Sequence, residues 1–215
     1  MEDPQVPRWP LTPACRWMGE RALRVETGVT TLARVEQLAS GMFNEIEDVI
    51  AADGSILLIF KQAARPSQPL LAALSQPVDG SPGRMGTRHI LSVRMDAESG
   101  PDLAFCATHA GLDLSGFVRE FTRIEFTVAF LGFQPGFPYL EGLPAHWAVP
   151  RHARPRVRVP AGSVALGGCH AGVYPVAGPG GWRVIGQTAA KLFDPRREPP
   201  ALLVPGDRVC FEIEA

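Results

Sequence analysis

The chain of 215 residues lacks a surplus of charge of either sign: 21 basic and 22 acidic residues give a formal net charge of −1. Proteins that bind nucleic acid or an anionic membrane through a general electrostatic field carry a basic surplus. The longest apolar runs, residues 56–60 and 126–133, are far shorter than the roughly 20 residues of a membrane-spanning helix. We therefore expect neither a nucleic-acid-binding protein nor a membrane protein.

Cysteines are few and scattered. Cys15, Cys106, Cys169 and Cys210 form no C-x-x-C pair, the spacing typical of structural zinc sites and redox dithiols. We expect reduced thiols in a cytoplasmic protein and no bound metal. Cys169 lies beside His170, but catalytic Cys-His pairs meet in space rather than along the chain, so this adjacency alone predicts no reactive pair.

The common motifs of nucleotide binding and hydrolysis are also missing from the sequence. It contains no P-loop, no G-x-S-x-G and no H-E-x-x-H. The glycines of residues 178–181 lead into Trp182 and a strand rather than into a helix N-terminus, so they make a poor phosphate cradle. Ser163 could act as a nucleophile, or it could simply bond locally at a strand entrance. The chain by itself carries no complete chemistry.

What is present in the first half is an alternation of strands and helices. The expected elements are a strand at Ala22–Glu26, a helix over 32–39 ended by Gly41, strands at 45–52 and 55–61 joined by Asp53-Gly54, a helix capped by Ser67, and a strand at 88–95. This β-α-β-β-α-β order is typical of the split-βαβ fold. We predict a small α/β domain of residues 21–95, preceded by a flexible extension of residues 1–20.

The second half begins with two short helices and continues as strands. Asp102 is expected to cap a helix through His109, and Ser115 a second helix through Arg123. The strands expected beyond them are 126–133, Arg156–Val159, 163–166, 173–176, 182–185, 191–193 and 209–213. Short strands at close spacing indicate a barrel or sandwich. The predicted fold class is therefore α+β, with an all-β barrel domain over residues 96–215.

Aromatic residues flank the glycine- and proline-rich turns of residues 130–187. They are Phe133, Phe137, Tyr139, Tyr174 and Trp182. Such side chains either fill a core or wall a pocket in which Tyr hydroxyls and Trp N–H groups supply the polar contacts. His170 lies in the same region, where it could contact a ligand or carry a proton, or else lie exposed in a loop.

A basic cluster comes between these turns: Arg151, His152, Arg154, Arg156 and Arg158. On an extended strand the last three would share one face, because side chains alternate. This face is either the solvated edge of a barrel or an acceptor for carboxylate or phosphate, which planar guanidiniums bind in a bidentate manner.

Six stretches of the second half match one family in order. They are FLGFQPGFPYL (130–140), P-R-x-x-x-P-R-x-x-V-P-A-G-S-V (150–164), GVYP (172–175), PGGWRVIGQT (179–188), LFD (192–194) and PGDRV (205–209). The chain thereby resembles the bacterial family that contains the 5-oxoprolinase subunit designated B, allophanate hydrolase subunit 1 and the bacillar inhibitor of a sporulation histidine kinase.

This resemblance implies a small α/β domain joined to a cyclophilin-like β-barrel, which agrees with the two architectures predicted above. It also implies a subunit that acts with a paralogous barrel subunit, like the 5-oxoprolinase subunit designated C, and with a third subunit. Such a complex cleaves the lactam of a small molecule, 5-oxo-L-proline, to L-glutamate and uses ATP. The other members of the family offer two alternatives for this chain: an allophanate hydrolase-type subunit, or a regulatory protein that inhibits a sensor histidine kinase.

Several polar positions differ from the residues usual in this family. Many members have a His shortly before the F-x-G-F motif, where this chain has Phe121, Thr122 and Arg123. In addition, His170-Ala171 replaces the usual Gln-Thr, and Gln187 replaces the usual Arg. From residue type and motif position we expect Arg156 and Arg158 to contact an anion and His170 to act as a polar contact or proton carrier. The residues expected around the substrate are Phe133, Phe137, Tyr139, Ser163, Tyr174, Trp182 and Gln187.

Overall fold

The structure is a computed structural model that describes residues 15–39, 43–63, 66–78 and 86–214. The chain divides into two compact units, residues 1–83 and 84–215. Both contain helices and strands, so the predicted α+β class is confirmed. Within the described ranges, no helix combines the length and the apolar character needed to cross a membrane.

The first unit is a four-stranded antiparallel sheet with two helices. Its elements are β1 (Cys15–Trp17), β2 (Ala22–Glu26), α1 (Thr31–Ala39), β3 (Ile46–Ala52), β4 (Ser55–Phe60) and α2 (Gln68–Ser75), and the strand order is β1-β2-β4-β3. The predicted hairpin turns at Asp53-Gly54, where Gly54 has a φ of 61°. Ser67 caps α2 as predicted, because its hydroxyl accepts a hydrogen bond from the Leu70 N–H. Gly41, the predicted helix end, lies outside the described residues.

The second unit is a barrel whose chain forms two helices between its first and second strands. Its elements are β5 (Arg88–Val93), α3 (Leu103–His109), α4 (Leu114–Arg123), β6 (Phe126–Leu131), β7 (Pro138–Glu141), β8 (Arg156–Val159), β9 (Ser163–Gly167), β10 (His170–Val173), β11 (Gly178–Gly180), β12 (Arg183–Gln187) and β13 (Arg208–Ile213). Seven strands form one sheet in the order β12-β9-β10-β7-β6-β13-β5, and β11 pairs with β8 in a separate ribbon.

The seven-stranded sheet closes on itself through two backbone hydrogen bonds. Arg94, just after β5, donates to the Gln187 carbonyl at 2.8 Å, and Gln187 donates to the Arg94 carbonyl at 2.9 Å. These bonds join the two ends of the sheet, which removes most of its open edge. The barrel predicted from sequence is therefore confirmed.

Aromatic side chains fill the barrel core next to the helices. Phe121, Phe126 and Phe211 are fully buried, and their ring centroids lie 5.2–5.7 Å apart. Phe121, one of the residues at which the sequence departs from the resemblance, is thus part of the apolar core. Its contribution is apolar burial, which is worth about 1.5–3 kcal/mol for a side chain of this kind.

One predicted strand belongs to the other unit. The strand predicted over 88–95 exists, but β5 pairs in parallel with β13 over six residues instead of completing the small sheet. Leu91 and Val93 face the barrel core, which explains this preference. The fourth strand of the small sheet is β1, within the segment predicted to be a flexible extension. That prediction is wrong for residues 15–17, and residues 1–14 lie outside the described residues.

Helix caps and some strand bounds also differ from prediction. Asp102 occupies the N-cap position of α3 without capping it, since its carboxylate binds elsewhere. Asp113, not Ser115, caps α4 by accepting a hydrogen bond from Gly116 N at 2.7 Å. Strand β7 was not predicted, and β10 begins three residues earlier than predicted. In place of the strand predicted at 191–193, Phe193 makes an isolated bridge to Ala201.

Candidate functional site

An aromatic pocket of about 330 Å³ opens on the barrel. Five of its walls are the aromatic residues that the sequence places around the glycine- and proline-rich turns: Phe133, Phe137, Tyr139, Tyr174 and Trp182. The remaining lining residues are Arg151, His152, Pro155, Pro179, Gly180 and Gly181. The sequence left two interpretations of these aromatic residues, core filling and pocket wall. Both apply, because all five line the pocket and Phe137 and Tyr174 are also fully buried.

Phe137 is the centre of the aromatic wall. Its ring meets those of Tyr139, Tyr174 and Trp182 edge to face, with centroids 5.2, 5.1 and 5.4 Å apart. Such pairs contribute about 0.5–1.5 kcal/mol each beyond their burial. The mutual contacts hold the rings in fixed orientations, so the pocket is preformed.

Glycines let the barrel backbone approach these rings. A Cβ added at Gly180 would lie 2.3 Å from the Tyr174 hydroxyl oxygen, and one at Gly167 would lie 2.5 Å from the Trp182 indole. A Cβ at Gly172 would come within 2.9 Å of the Phe137 ring. Close approach therefore explains why glycines are dense in this part of the sequence.

Phe133 has the backbone conformation least expected of an aromatic residue. Its φ is 64°, in the left-handed region, which costs an L-residue about 1–2 kcal/mol. Its side chain is 61% exposed, and its ring meets Phe137 and Tyr174 edge to face. Strained backbone that presents an exposed ring at a pocket is typical of ligand-binding positions.

Two tyrosine hydroxyls supply polar groups to the pocket. Burial raises the pKa of Tyr139 and of Tyr174, so both hydroxyls stay protonated at neutral pH. The Trp182 backbone N–H, near the Tyr174 oxygen, offsets part of the rise in the Tyr174 pKa. The Tyr139 hydroxyl forms no hydrogen bond with any described residue. Both can therefore donate a hydrogen bond to a bound molecule.

An ion-pair cluster adjoins the pocket through His152 and centres on the buried carboxylate of Asp102. Arg156 donates to its carboxylate in a bidentate manner, Nη1 to Oδ2 at 2.8 Å and Nη2 to Oδ1 at 3.1 Å. His152 Nε2 lies 3.1 Å from Oδ1, and the backbone N–H of Val184 donates to Oδ2 at 2.8 Å. Arg183 adds a longer contact at 3.6 Å and stacks on the Phe105 ring at 4.1 Å.

The cluster determines the charge of Asp102. Burial raises the pKa of this carboxyl. The hydrogen bonds from Arg156, His152 and Val184 lower it by more than burial raises it, so the pKa lies below its ordinary value. Asp102 is ionised at neutral pH and neutralises part of the basic cluster. Arg156 thus has an anionic partner within the chain itself.

The other predicted site residues are dispersed around the barrel. Arg158 is exposed on β8, and Ser163 is buried at the start of β9. Gln187 lines a second cavity of about 450 Å³, together with Arg94 and Lys191. The structure does not bring these three residues to the aromatic pocket, and their proposed roles stay predictions.

His170 is buried in β10 rather than exposed in a loop. Its ring meets Phe130 and Tyr139 edge to face, at centroid distances of 5.9 and 5.8 Å. Cys169 next to it is exposed, and the Sγ lies 3.5 Å from His170 Nδ1. His170 supports the Tyr139 wall from behind without lining the pocket, and its proton-carrying role stays a prediction.

Sequence reasoning missed Asp102 and Arg183 as members of the site. Asp102 has the sequence context of a helix cap, and 54 residues separate it from Arg156. Arg151 and His152 were noted within the basic cluster, but only the fold shows that both line the pocket. In the described part of the chain, no group of three His, Cys, Asp or Glu side chains could hold a metal ion.

Fold and site together define a class: an α+β protein whose barrel carries a preformed aromatic pocket beside a buried ion-pair cluster. A family model for the carboxyltransferase domain, subdomain C and D, matches residues 13–203. The chain therefore belongs to this family.

Known relatives support the resemblance drawn from the motifs. Over 112 residues the chain is 56% identical to the 5-oxoprolinase subunit designated B of Escherichia coli O157:H7, a match that covers 52% of this chain and 51% of that protein. The chain thus spans about half the length of this curated relative. The crystal structure of the protein TTHA0988 is similar at a TM-score of 0.74 and 33% identity, over 91% of this chain and 40% of that one.

A more distant similarity concerns the fold alone. The urea amidolyase of Kluyveromyces lactis matches at a TM-score of 0.71 but only 19% identity, over 94% of this chain and 15% of that one. The family model and the Escherichia coli relative, and not this distant match, confirm the predicted resemblance to the family of the 5-oxoprolinase subunit designated B.

Proposed function

We propose that this chain is a subunit of an ATP-dependent 5-oxoprolinase complex, which hydrolyses the lactam of 5-oxo-L-proline to L-glutamate. The observation that supports this function is the preformed aromatic pocket of about 330 Å³. Its volume is at the small end of the range for ligand sites, which suits a single small ring better than a nucleotide or a peptide. The named relative in Escherichia coli supports the same assignment.

In this proposal the pocket binds and orients the lactam while its rings exclude water. The five-membered lactam ring is nearly planar, and its methylene groups present apolar surface that matches walls such as Phe137 and Trp182. The protonated hydroxyls of Tyr139 and Tyr174 donate hydrogen bonds to its carbonyl oxygen. Negative charge would develop on that oxygen when water adds to the carbonyl carbon, and donors aimed at this charge would lower the barrier; the assembled complex would supply the ATP that drives the reaction.

The proposed partners are a paralogous barrel subunit and a third subunit. We propose partners because the described residues form a pocket that lacks a catalytic set. No nucleophile, base and orienting group are in hydrogen-bond contact with one another within it, among the residues that the structure describes. The sequence also contains no nucleotide-binding motif. The partners would supply the ATP site and the remaining catalytic groups.

The test compares the isolated chain with the assembled complex. We expect the purified chain to hydrolyse neither ATP nor 5-oxo-L-proline, and co-expression with both partner subunits to give a co-purifying complex that does. The shared interface should bury at least about 1,000 Å². Steady turnover by the chain alone would contradict the subunit assignment. Subunits that stay separate on size exclusion at tens of micromolar would contradict the shared complex.

A further inference from the structure

Arg151 is the one guanidinium that lines the aromatic pocket, and it lacks an anionic partner among the described residues. The guanidiniums of Arg156 and Arg183 both contact the carboxylate of Asp102. Arg151 instead lies over the Trp182 ring, with Cζ 5.8 Å from the ring centroid. Its charge therefore faces the pocket and is not neutralised within the described chain.

The rest of the lining does not offset this charge. No acidic residue occurs among the lining residues, all of which the structure describes. His152 lines the pocket too, but its ring nitrogens are engaged by Asp102 and by Arg183, whose Nη1 lies 3.1 Å from Nδ1. The pocket thus combines aromatic walls with an uncompensated positive charge at one side.

The neighbouring arginines lack this position. Arg151, Arg154 and Arg158 are all exposed, but of the three only Arg151 lines the pocket. Arg156 is held by Asp102. A planar guanidinium presents parallel N–H groups that match the two oxygens of a carboxylate. Arg151 is therefore the residue placed to bind a carboxylate attached to a ring that the aromatic walls enclose.

We propose that the pocket selects small, flat rings that carry a carboxylate, and that Arg151 is the residue that binds this group. The inference rests on the proposed function in one respect, since 5-oxo-L-proline is a member of this ligand class. It goes beyond that function because it predicts which part of the substrate is recognised: the carboxylate, and not the lactam alone. Tyr139, whose hydroxyl is unengaged, is available for the ring carbonyl.

Binding to the full-length chain tests the proposal directly. Isothermal titration with 5-oxo-L-proline and with the uncharged ring 2-pyrrolidinone should show at least a tenfold preference for the acid, because 2-pyrrolidinone lacks the carboxylate that would accept charge-assisted hydrogen bonds from Arg151. Arg151→Gln should abolish this preference. Arg154→Gln, a matched loss of charge three residues away and outside the pocket, should preserve it. Absence of a preference in the unmodified chain, or its persistence in R151Q, would overturn the proposal.

Kinetics of the complex separate this proposal from the proposed function. If the unmodified complex turns over 5-oxo-L-proline and R151Q raises KM at least tenfold while R154Q does not, both stand. Turnover with an unchanged KM in R151Q overturns the role of Arg151 and leaves the function intact. A complex without turnover overturns the function, and the titration then decides the ligand class by itself. Matching thermal unfolding curves for R151Q and R154Q show that the comparison concerns folded proteins.

Discussion

Asp102 and Arg156 form a bidentate ion pair that joins the start of helix α3 to strand β8, with N···O distances of 2.8 and 3.1 Å. The side chain of Asp102 is 7% exposed and that of Arg156 is 31% exposed. Asp102 also exchanges hydrogen bonds with Val184 on β12, through its backbone N–H and through its carboxylate. One carboxylate thus connects a helix, the β8–β11 ribbon and the barrel wall.

This geometry predicts that Asp102 is a structural residue. Asp102→Asn should lower the free energy of unfolding by about 2–4 kcal/mol, less than the roughly 3–5 kcal/mol of a fully buried pair, because Arg156 is 31% exposed and its uncompensated charge stays partly solvated. Glu120→Gln is the matched control, since Glu120 also pairs with two arginines but on the surface. Its loss should cost less than about 1 kcal/mol. Urea unfolding of both variants measures the difference, and equal losses would contradict the assignment.

The same carboxylate makes stability depend on pH. The pKa of Asp102 is lower in the folded chain than its ordinary value of about 4, so its contribution is present above that pH. The contribution is lost as the pH falls below about 4 and the folded carboxyl takes up a proton. We expect unfolding free energies to converge for the unmodified chain and D102N at low pH. A gap that is constant from pH 7 to pH 3 would refute this linkage.

Two adjacent glycines allow a sharp test of the aromatic wall. Gly180→Ala would place a methyl group 2.3 Å from the Tyr174 hydroxyl oxygen, whereas at Gly181 the nearest atom is 3.7 Å away, an ordinary contact. We expect G180A to lose about 1–3 kcal/mol of stability through overpacking. G181A should change it by less than about 0.5 kcal/mol. Ligand titration should show weakened binding in G180A, and the idea fails if the two variants behave alike.

Phe133 should show a trade between stability and binding. Phe133→Gly and Phe133→Ala both remove the ring from the pocket, but glycine accepts a φ of 64° without the cost that alanine keeps. F133G should therefore be about 1 kcal/mol more stable than F133A. Both should bind ligand more weakly than the unmodified chain. Equal stabilities of the two variants would show that the left-handed backbone relaxes in solution.

Truncation tests the boundary between the units. A fragment of residues 84–215 retains β5, whereas a fragment of residues 94–215 loses the strand that pairs with β13 over six residues. Leu91 and Val93 leave the core with it. We expect cooperative unfolding in the longer fragment and loss of cooperativity in the shorter one, measured by circular dichroism. A cooperatively folded 94–215 fragment would mean that β5 is dispensable.

Features that depend on neighbouring residues were predictable from the sequence. The Asp53-Gly54 hairpin, the Ser67 cap and the strand Arg156–Val159 all form as predicted, because each depends on the conformational preferences of a few adjacent residues. The position of the five aromatic residues beside tight turns follows for a similar reason. Their motifs combine glycine, proline and aromatic residues within short segments, and close backbone approach requires that combination.

Features that depend on distant residues were decided only by the tertiary structure. The apolar alternation of β5 suits either sheet, and only packing against β13, about 120 residues later, assigns it to the barrel. Asp102 has the local context of a helix cap, but a bidentate guanidinium from 54 residues away binds its carboxylate more strongly than a helix N–H does. The same ion pair explains why Arg151, and not Arg156, is the arginine available to a ligand. The sequence determined that a cluster of guanidiniums lies between the aromatic motifs, whereas the fold decided that Arg151 lines the pocket and that Arg156 is already paired with Asp102.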